Sequence, residues 1–151
     1  MSRPKSSKKS PARKKKKNPE AESRPRLGLA AAVEHTVLRE WTLAHFDPRL
    51  PAVFSTPAMI GLMEHAAAQA VMGDLPPGAI TVGTRIEVDH LKAVPEGAQV
   101  QASARLKKYK KRFLVFEVEA RSGEHVIGRG FVYRAIVEPQ GFHSRARARK
   151  S

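Results

Sequence analysis

One helical segment constrains the fold more than any other feature of this sequence. Residues 57–73, PAMIGLMEHAAAQAVMG, are rich in alanine and methionine and lack a run of β-branched residues, so they predict a helix of about 25 Å. Ser55 or Thr56 can cap its start, Pro57 suits its first turn, and Gly73 is placed to end it. Its predicted sheet-facing stripe consists of Met59, Leu62, Met63, Ala66, Ala70 and Met72.

Strand patterns lie on both sides of this helix. A first strand is predicted over 33–46, from its Val, Thr, Leu, Trp and Phe content. A second is predicted over 80–90, where alternate residues form one apolar row: Ile80, Val82, Thr84, Ile86, Val88 and His90. Further strands follow at short spacing over 98–106, 113–120 and 125–138, the last with Gly128 and Gly130 as points of bulging or close approach.

Strand, helix and four strands in this order predict an α+β fold, with a curved antiparallel sheet wrapped around one long helix. Short turns favour antiparallel neighbours, and the absence of a βαβ alternation argues against a parallel sheet. The unpaired edges and partly covered outer face of such a sheet favour a homodimer.

The charge of the chain is concentrated at its ends. The sequence has 28 Lys and Arg against 14 Asp and Glu, a net charge of +14, which alone suggests a nucleic-acid binder. Residues 1–26 contribute +9 and residues 143–151 contribute +4, whereas residues 27–142 contribute only +1. We therefore expect a nearly neutral domain over 27–142 between two disordered basic tails. The tails predict weak contact with nucleic acid or another polyanion, or act only as solvated, solubilising ends.

Composition excludes several classes of site. With no cysteine there is no disulfide framework, no thiolate metal site and no cysteine nucleophile. The histidines show no metal-ligand spacing, so neither a metal nor a cofactor is expected. No apolar stretch has the features of a signal peptide or the length of a membrane span, which predicts a cytoplasmic protein without a transmembrane segment.

Three polar residues do not fit an apolar core. Glu64 lies in the middle of the helix, either facing solvent or placed at a boundary where burial alters its titration. Thr56 opens the helix, as a simple cap or beside backbone N–H groups able to bind an oxyanion. His90 ends the second strand, as a structural residue or an acid–base group. Thr56 and Glu64 are about 12 Å apart along the helix axis, so they cannot touch through the helix itself.

Two segments resemble one enzyme family. STPAMIGLME, residues 55–64, and VGTRIEVDHL, residues 82–91, are similar to the fluoroacetyl-CoA thioesterase-like proteins, which are hot-dog-fold acyl-CoA thioesterases. The resemblance covers about residues 33–138. It implies that Thr56, Glu64 and His90 form the catalytic constellation and that Gly83 lines the acyl site.

The resemblance implies hydrolysis of a small acyl-CoA. Glu64 would act as general base or as covalent nucleophile. Thr56 would polarise the carbonyl or position Glu64, and His90 would orient the group or protonate the departing thiolate. Phe54, with Phe46, flanks a proline-rich loop and is a candidate for the acyl pocket. The alternative is a non-catalytic acyl- or CoA-binding module, tethered to nucleic acid or another polyanion by its basic tails.

The stretch RLKKYKKR, residues 105–112, carries more cations than a hairpin requires. It is a solvated hairpin tip, a contact for CoA phosphates, or an extension of the basic surface of the tails.

Overall fold

A computed structural model describes Ser2 and residues 24–149. The predicted N-terminal tail therefore lies almost wholly outside the described residues. Five strands form the sheet: β1 (Ala30–Thr36), β2 (Ile80–His90), β3 (Gln99–Lys110), β4 (Phe113–Ser122) and β5 (His125–Val137). The α-helices are α1 (Leu43–Phe46), α2 (Thr56–Val71) and α3 (Pro139–Ala148), and short 3₁₀ turns span Arg39–Trp41 and Met72–Asp74.

The strands form one antiparallel sheet in the order β1-β3-β4-β5-β2. Hairpins join β3 to β4 and β4 to β5, while the segment containing α2 separates β1 from β2. Both β1 and β2 are edge strands, and β2 has eleven residues along its free edge. The predicted bounds of β2, 80–90, are confirmed.

The central helix α2 packs against one face of the sheet. Ser55 caps its start, because the Ser55 hydroxyl accepts a hydrogen bond from the Ala58 amide at 3.3 Å. Buried residues from α2 and the sheet share one core: Met59, Met63, Ala66, Leu106, Leu114, Phe116, Val118 and Val132 are among them. The predicted stripe on α2 is confirmed except for Met72, which is exposed because the α-helix ends at Val71.

The predicted strand over 33–46 is wrong beyond Thr36. The chain leaves the sheet there, makes the 3₁₀ turn Arg39–Trp41, and continues into α1. Its apolar residues are used for packing outside the sheet, since Val37 and Ala44 are buried and Trp41 packs against the core.

The C-terminal end also differs from expectation. Residues 143–148 were expected to belong to a disordered tail, but they complete α3. Pro139 suits the first turn of this helix, and its last turn carries Arg145 and Arg147, where cations complement the helix dipole.

Glycines allow β5 to approach its neighbours closely, as predicted. A Cβ at Gly128 would meet the Met59 sulfur, and one at Gly130 would collide with the Glu87 carbonyl. Gly130 also has φ +157°, at the limit of the region that side chains disfavour.

One irregularity in β2 determines which residues face α2. The pairing of β2 with β5 shifts between Gly83 and Arg85, so that Thr84 forms a bulge. The predicted single row from Ile80 to His90 is therefore broken. Thr81 and Gly83 share the α2 face with His90, whereas Val82 and Thr84 face away from it.

Candidate active site

Thr56 and His90 come together at the start of α2. The Thr56 hydroxyl and the His90 Nδ1 are 2.8 Å apart, which links the first residue of the helix to the last residue of β2. The other ring nitrogen, Nε2, is buried and has no hydrogen-bond partner among the described residues. Thr56 and His90 are called the helix-start pair below. An unpartnered buried nitrogen is costly, so the protein's other groups leave this one available to a water, a ligand group or a second chain.

A small cavity adjoins the helix-start pair. Its volume is about 280 Å³, and it is lined by Leu43, Val53, Phe54, Thr56, His90, Leu91, Lys92 and Ala93. Phe54 is fully buried in this wall, and its ring lies 6.4 Å from the Trp41 ring. Phe46 is exposed and does not line the cavity.

Glu64 belongs to a second polar group. Arg134 donates a hydrogen bond from one guanidinium nitrogen to Glu64 Oε1 at 3.1 Å. Its other nitrogens donate to the Thr81 hydroxyl at 2.9 Å and to the Thr81 carbonyl at 2.8 Å. Arg134 is only 7% exposed, while the Glu64 side chain is 33% exposed. Burial lowers the pKa of Arg134, and the nearby Glu64 carboxylate partly offsets this.

Gly83 completes this second group. A Cβ added at Gly83 would collide with Glu64 Oε1, so the carboxylate lies directly against the backbone of β2. Glu64, Thr81, Gly83 and Arg134 are called the carboxylate cluster below. Only glycine allows this approach without moving the carboxylate.

A single chain does not unite all the predicted site residues. Gly83 pairs with Arg134 and His90 pairs with Gly128, six positions apart on β5. Six residues of an extended strand span about 20 Å. The helix-start pair and the carboxylate cluster therefore lie near opposite ends of β2, on the same face of the sheet.

Sequence reasoning missed Arg134. On β5, Val132 and Ile136 flank it in one row, while Phe131, Tyr133 and Ala135 form an equally apolar second row. The alternation of apolar residues therefore does not show whether Arg134 faces α2 or the outer side of the sheet. The useful signal was chemical, because a mid-helix Glu64 packed near a sheet requires a cation or hydrogen-bond donors.

No group of three or more His, Asp or Glu side chains within the described ranges is placed to hold a metal ion. In the same part of the chain, no helix is long and apolar enough to cross a membrane. The stretch 105–112 forms the end of β3 and the turn into β4, with Lys111 at φ +58°.

Comparisons with known proteins match this architecture. A family model described as fluoroacetyl-CoA-specific thioesterase matches residues 37–140. The fluoroacetyl-CoA thioesterase of Streptantibioticus cattleyicolor is 37% identical over 128 residues, which cover 81% of this chain and 92% of that protein. A solved structure of the fluoroacetyl-CoA thioesterase FlK superimposes with a TM-score of 0.77 at 33% identity, covering 82% of this chain and 96% of that one. A thioesterase-superfamily member from Thermus thermophilus gives 0.78 at 26% identity, covering 84% and 95%.

The fold and these matches first define a class, the hot-dog-fold thioesterases. Within that class, the chain belongs to the fluoroacetyl-CoA-specific thioesterase family. The predicted family, fold and enzyme class are thereby confirmed, and the protein is a thioester hydrolase.

Proposed function

We propose that this enzyme hydrolyses a small acyl-CoA at a site built from Thr56, Glu64 and His90, with Gly83 and Phe54 at the acyl group. The unpartnered His90 Nε2 beside a cavity carries this proposal. Mutants of the related enzyme FlK have been solved in complexes with acetyl-CoA and with fluoroacetate and CoA. A cavity of about 280 Å³ beside Phe54 suits a short acyl group better than a long chain.

The two polar groups have complementary chemistry. When the Thr56 hydroxyl donates to Nδ1, the neutral His90 ring carries its hydrogen on Nε2, where it can donate to the thioester oxygen or protonate the departing thiolate. The positive end of α2, where Thr56 lies, favours the negative charge that develops on the carbonyl oxygen.

Glu64 supplies the carboxylate that acts as general base or nucleophile. Its carboxylate either removes a proton from the attacking water or attacks the carbonyl carbon itself to form an anhydride. In both routes the carbon–sulfur bond breaks, the CoA thiolate leaves, and water provides the hydroxyl of the product acid. Arg134 is a positioning residue, because it holds Glu64 Oε1 in place and keeps a positive charge beside it.

We propose that the working unit is a homodimer, in which each site combines the helix-start pair of one protomer with the carboxylate cluster of its partner. The free edge of β2 offers eleven residues for antiparallel pairing with a second β2. Ile80 at its start and Leu91 just beyond its end are exposed. Pairing centred near Ile86 and Glu87 would set Gly83 opposite the partner's copy of His90. The separation of about 20 Å within one chain would then be bridged between chains.

The catalytic assignment is tested by thiol release from acetyl-CoA, fluoroacetyl-CoA and longer acyl-CoAs. We expect Glu64→Gln to lower kcat by at least about 100-fold, since it removes the base or nucleophile while keeping the shape of the side chain. Glu34→Gln, on the opposite edge of the sheet, is the matched control and should retain activity. Equal rates for wild type and Glu64→Gln would refute the assignment. A wild-type chain that binds acyl-CoA without hydrolysing it would support the binding-module alternative.

The shared site is tested by mixing two inactive variants. In a dimer of one Glu64→Gln chain and one His90→Gln chain, one site holds both substitutions and the other holds neither. Purified through two different affinity tags, this mixed dimer should regain about half of the wild-type activity, because one of two symmetric sites is intact. Mixing Glu64→Gln with Gly83→Ala, both in the carboxylate cluster, should restore nothing. No recovery in the first mixture would place the site within one chain.

We also propose weak polyanion contact through the charged ends. The supporting observations are the +9 charge of residues 1–26 and the exposed arginines of α3. Retention on a heparin column should fall as salt rises and should drop when residues 1–26 are deleted. Unchanged retention would place the basic site in the domain itself. The cytoplasmic location stays a prediction, to be checked by cell fractionation.

A further inference from the structure

A second cavity lies on the face of the sheet that points away from α2. Arg134 reaches Glu64 on α2, so its neighbours Ala135 and Val137 project from the opposite face of β5. Both are buried, yet neither belongs to the core around α2. Together with α3 and the start of β4 they border a groove of about 530 Å³, called the α3 groove, which is lined by Val82, Thr84, Arg112, Phe113, Ala135, Val137, Phe142, Arg145, Ala146 and Arg149.

The α3 groove has a strongly positive lining. Arg112, Arg145 and Arg149 border it, and no acidic residue does. Within residues 24–149, no carboxylate forms an ion pair with any of these three side chains. Arg145 and Arg149 are four residues apart, so they share one side of the C-terminal end of α3. Unneutralised arginines with this convergence favour a ligand with phosphate groups, to which a guanidinium can donate two parallel hydrogen bonds.

The groove also exposes aromatic surface beside these cations. Phe113 is 49% exposed and Phe142 is 40% exposed, and both line it. The Arg112 guanidinium lies 5.1 Å from the centre of the Phe113 ring, which creates a flat stacking surface. Aromatic rings and arginine planes next to phosphate-binding cations are the combination that holds nucleotide bases.

We propose that the α3 groove binds a nucleoside phosphate, with the arginines on the phosphate groups and Phe113 and Phe142 against the base. A volume of about 530 Å³ is in the range of small-molecule sites and accommodates one nucleotide. Pairing of β2 edges in a dimer would leave the groove open, since it uses the edge of β2 and not its outer face. The ligand is either a free nucleotide or the nucleotide end of a CoA thioester, and the second source rests on the proposed function.

Binding is tested directly by calorimetry with adenosine 3′,5′-bisphosphate and the full-length chain. We expect saturable binding with one site per chain, weakened about 10- to 100-fold by Arg145→Ala, because one charge-assisted contact is lost. Arg147→Ala is the matched control, since it removes the same charge from the same helix without lining the groove. It should change affinity by less than about threefold.

Phe142→Ala gives a second measurement that leaves the charge unchanged. It should weaken the bisphosphate by about tenfold or more through lost stacking, and should leave inorganic phosphate unaffected. Equal effects of Arg145→Ala and Arg147→Ala, or no binding by the wild type, would overturn the proposal. Circular dichroism of each variant should show unchanged helix content, so that a loss of binding is not a loss of α3.

Enzyme kinetics distinguish a free nucleotide from the nucleotide end of CoA as the ligand of the α3 groove. If the groove holds the nucleotide end of CoA, Arg145→Ala should raise KM for acetyl-CoA and leave KM for S-acetylpantetheine, which has no nucleotide, unchanged. If it holds a free nucleotide, both KM values should stay constant while bisphosphate binding is lost. Either result supports the binding of a nucleoside phosphate in the α3 groove. Because calorimetry requires no turnover, an inactive enzyme would count against the proposed function and not against this site.

Discussion

The helix-start pair and the carboxylate cluster lie on the same face of one sheet, but their polar groups are satisfied to different degrees. In the carboxylate cluster, Arg134 makes three hydrogen bonds within the chain and fixes Glu64 Oε1. In the helix-start pair, one hydrogen bond joins Thr56 to His90 and leaves Nε2 without a partner in the described chain. The cluster is therefore internally anchored, whereas the pair keeps one ring nitrogen available for a further hydrogen bond.

The largest expected effect comes from filling the space beside Glu64. Gly83→Ala places a methyl group where Glu64 Oε1 lies, so the carboxylate has to move away from its position. We expect kcat to fall by about 100-fold, because a shift of about 1 Å at a reacting group has effects of this size. At Gly73 an added Cβ meets nothing within 4 Å, so Gly73→Ala is the control and should stay near wild type. Full activity of Gly83→Ala would show that the position of Glu64 is not critical.

Removal of Arg134, which anchors Glu64, should lower the free energy of unfolding. Arg134→Met leaves Glu64 and Thr81 without their donor, and we expect a loss of about 2 kcal/mol in the free energy of unfolding. This is below the value for a fully buried pair, because the Glu64 side chain is one-third exposed and can turn toward water. Arg85→Met breaks the exposed ion pair with Glu87 and should cost less than about 1 kcal/mol. Urea denaturation measures both, and equal losses would contradict the buried anchor.

In the helix-start pair, removing one hydrogen-bonding group should lower kcat and leave the free energy of unfolding nearly unchanged. Thr56→Val removes the hydroxyl that contacts His90 Nδ1 and keeps the side-chain volume, so we expect kcat to fall about tenfold, the effect of one lost hydrogen bond. Its free energy of unfolding should change little, because Ser55 and not Thr56 caps α2. A stability loss with unchanged kcat would make Thr56 a structural residue.

The smallest effect is expected at the neighbouring cap. Ser55→Ala removes the acceptor of the Ala58 amide and should lower stability by about 1 kcal/mol. Thermal unfolding of the two adjacent variants, Ser55→Ala and Thr56→Val, separates capping from site chemistry. A larger loss of stability for Thr56→Val than for Ser55→Ala would show that Thr56, and not Ser55, is the more important cap of α2.

Periodicity predicted the parts of the fold where one local pattern dominates. The bounds of β2 were correct because turn residues flank its eleven residues, although the single row predicted from their alternation is broken at Thr84. The prediction of α2 was correct because alanine and methionine leave few alternatives. The first strand was extended too far, because Trp41 and Phe46 suit a strand by propensity, whereas Trp41 packs against the core outside the sheet and Phe46 is exposed. The local pattern over 33–46 does not mark the end of this strand at Thr36.

The site was predicted less completely for a similar reason. Thr56, Glu64 and His90 stood out as polar residues in apolar patterns, but their proposed catalytic role, and the choice of Gly83, came from the resemblance to a family. Arg134 lies seventy residues from Glu64 in the chain, and its importance follows from burial and from three donated hydrogen bonds. The separation of the two polar groups depends on the register between β2 and β5, which no local pattern specifies.

The bulge at Thr84 has a consequence for how β2 tolerates change. Gly83 and His90 are an odd number of residues apart, so in an uninterrupted strand they would project from opposite faces. The one additional residue corrects this parity and turns both toward α2. Deleting one residue between them would leave six regularly alternating positions and keep both on the same face without a bulge, whereas straightening the bulge at the present length would send one of the two to the outer surface. The bulge at Thr84 is therefore what allows Gly83 and His90 to face α2 together.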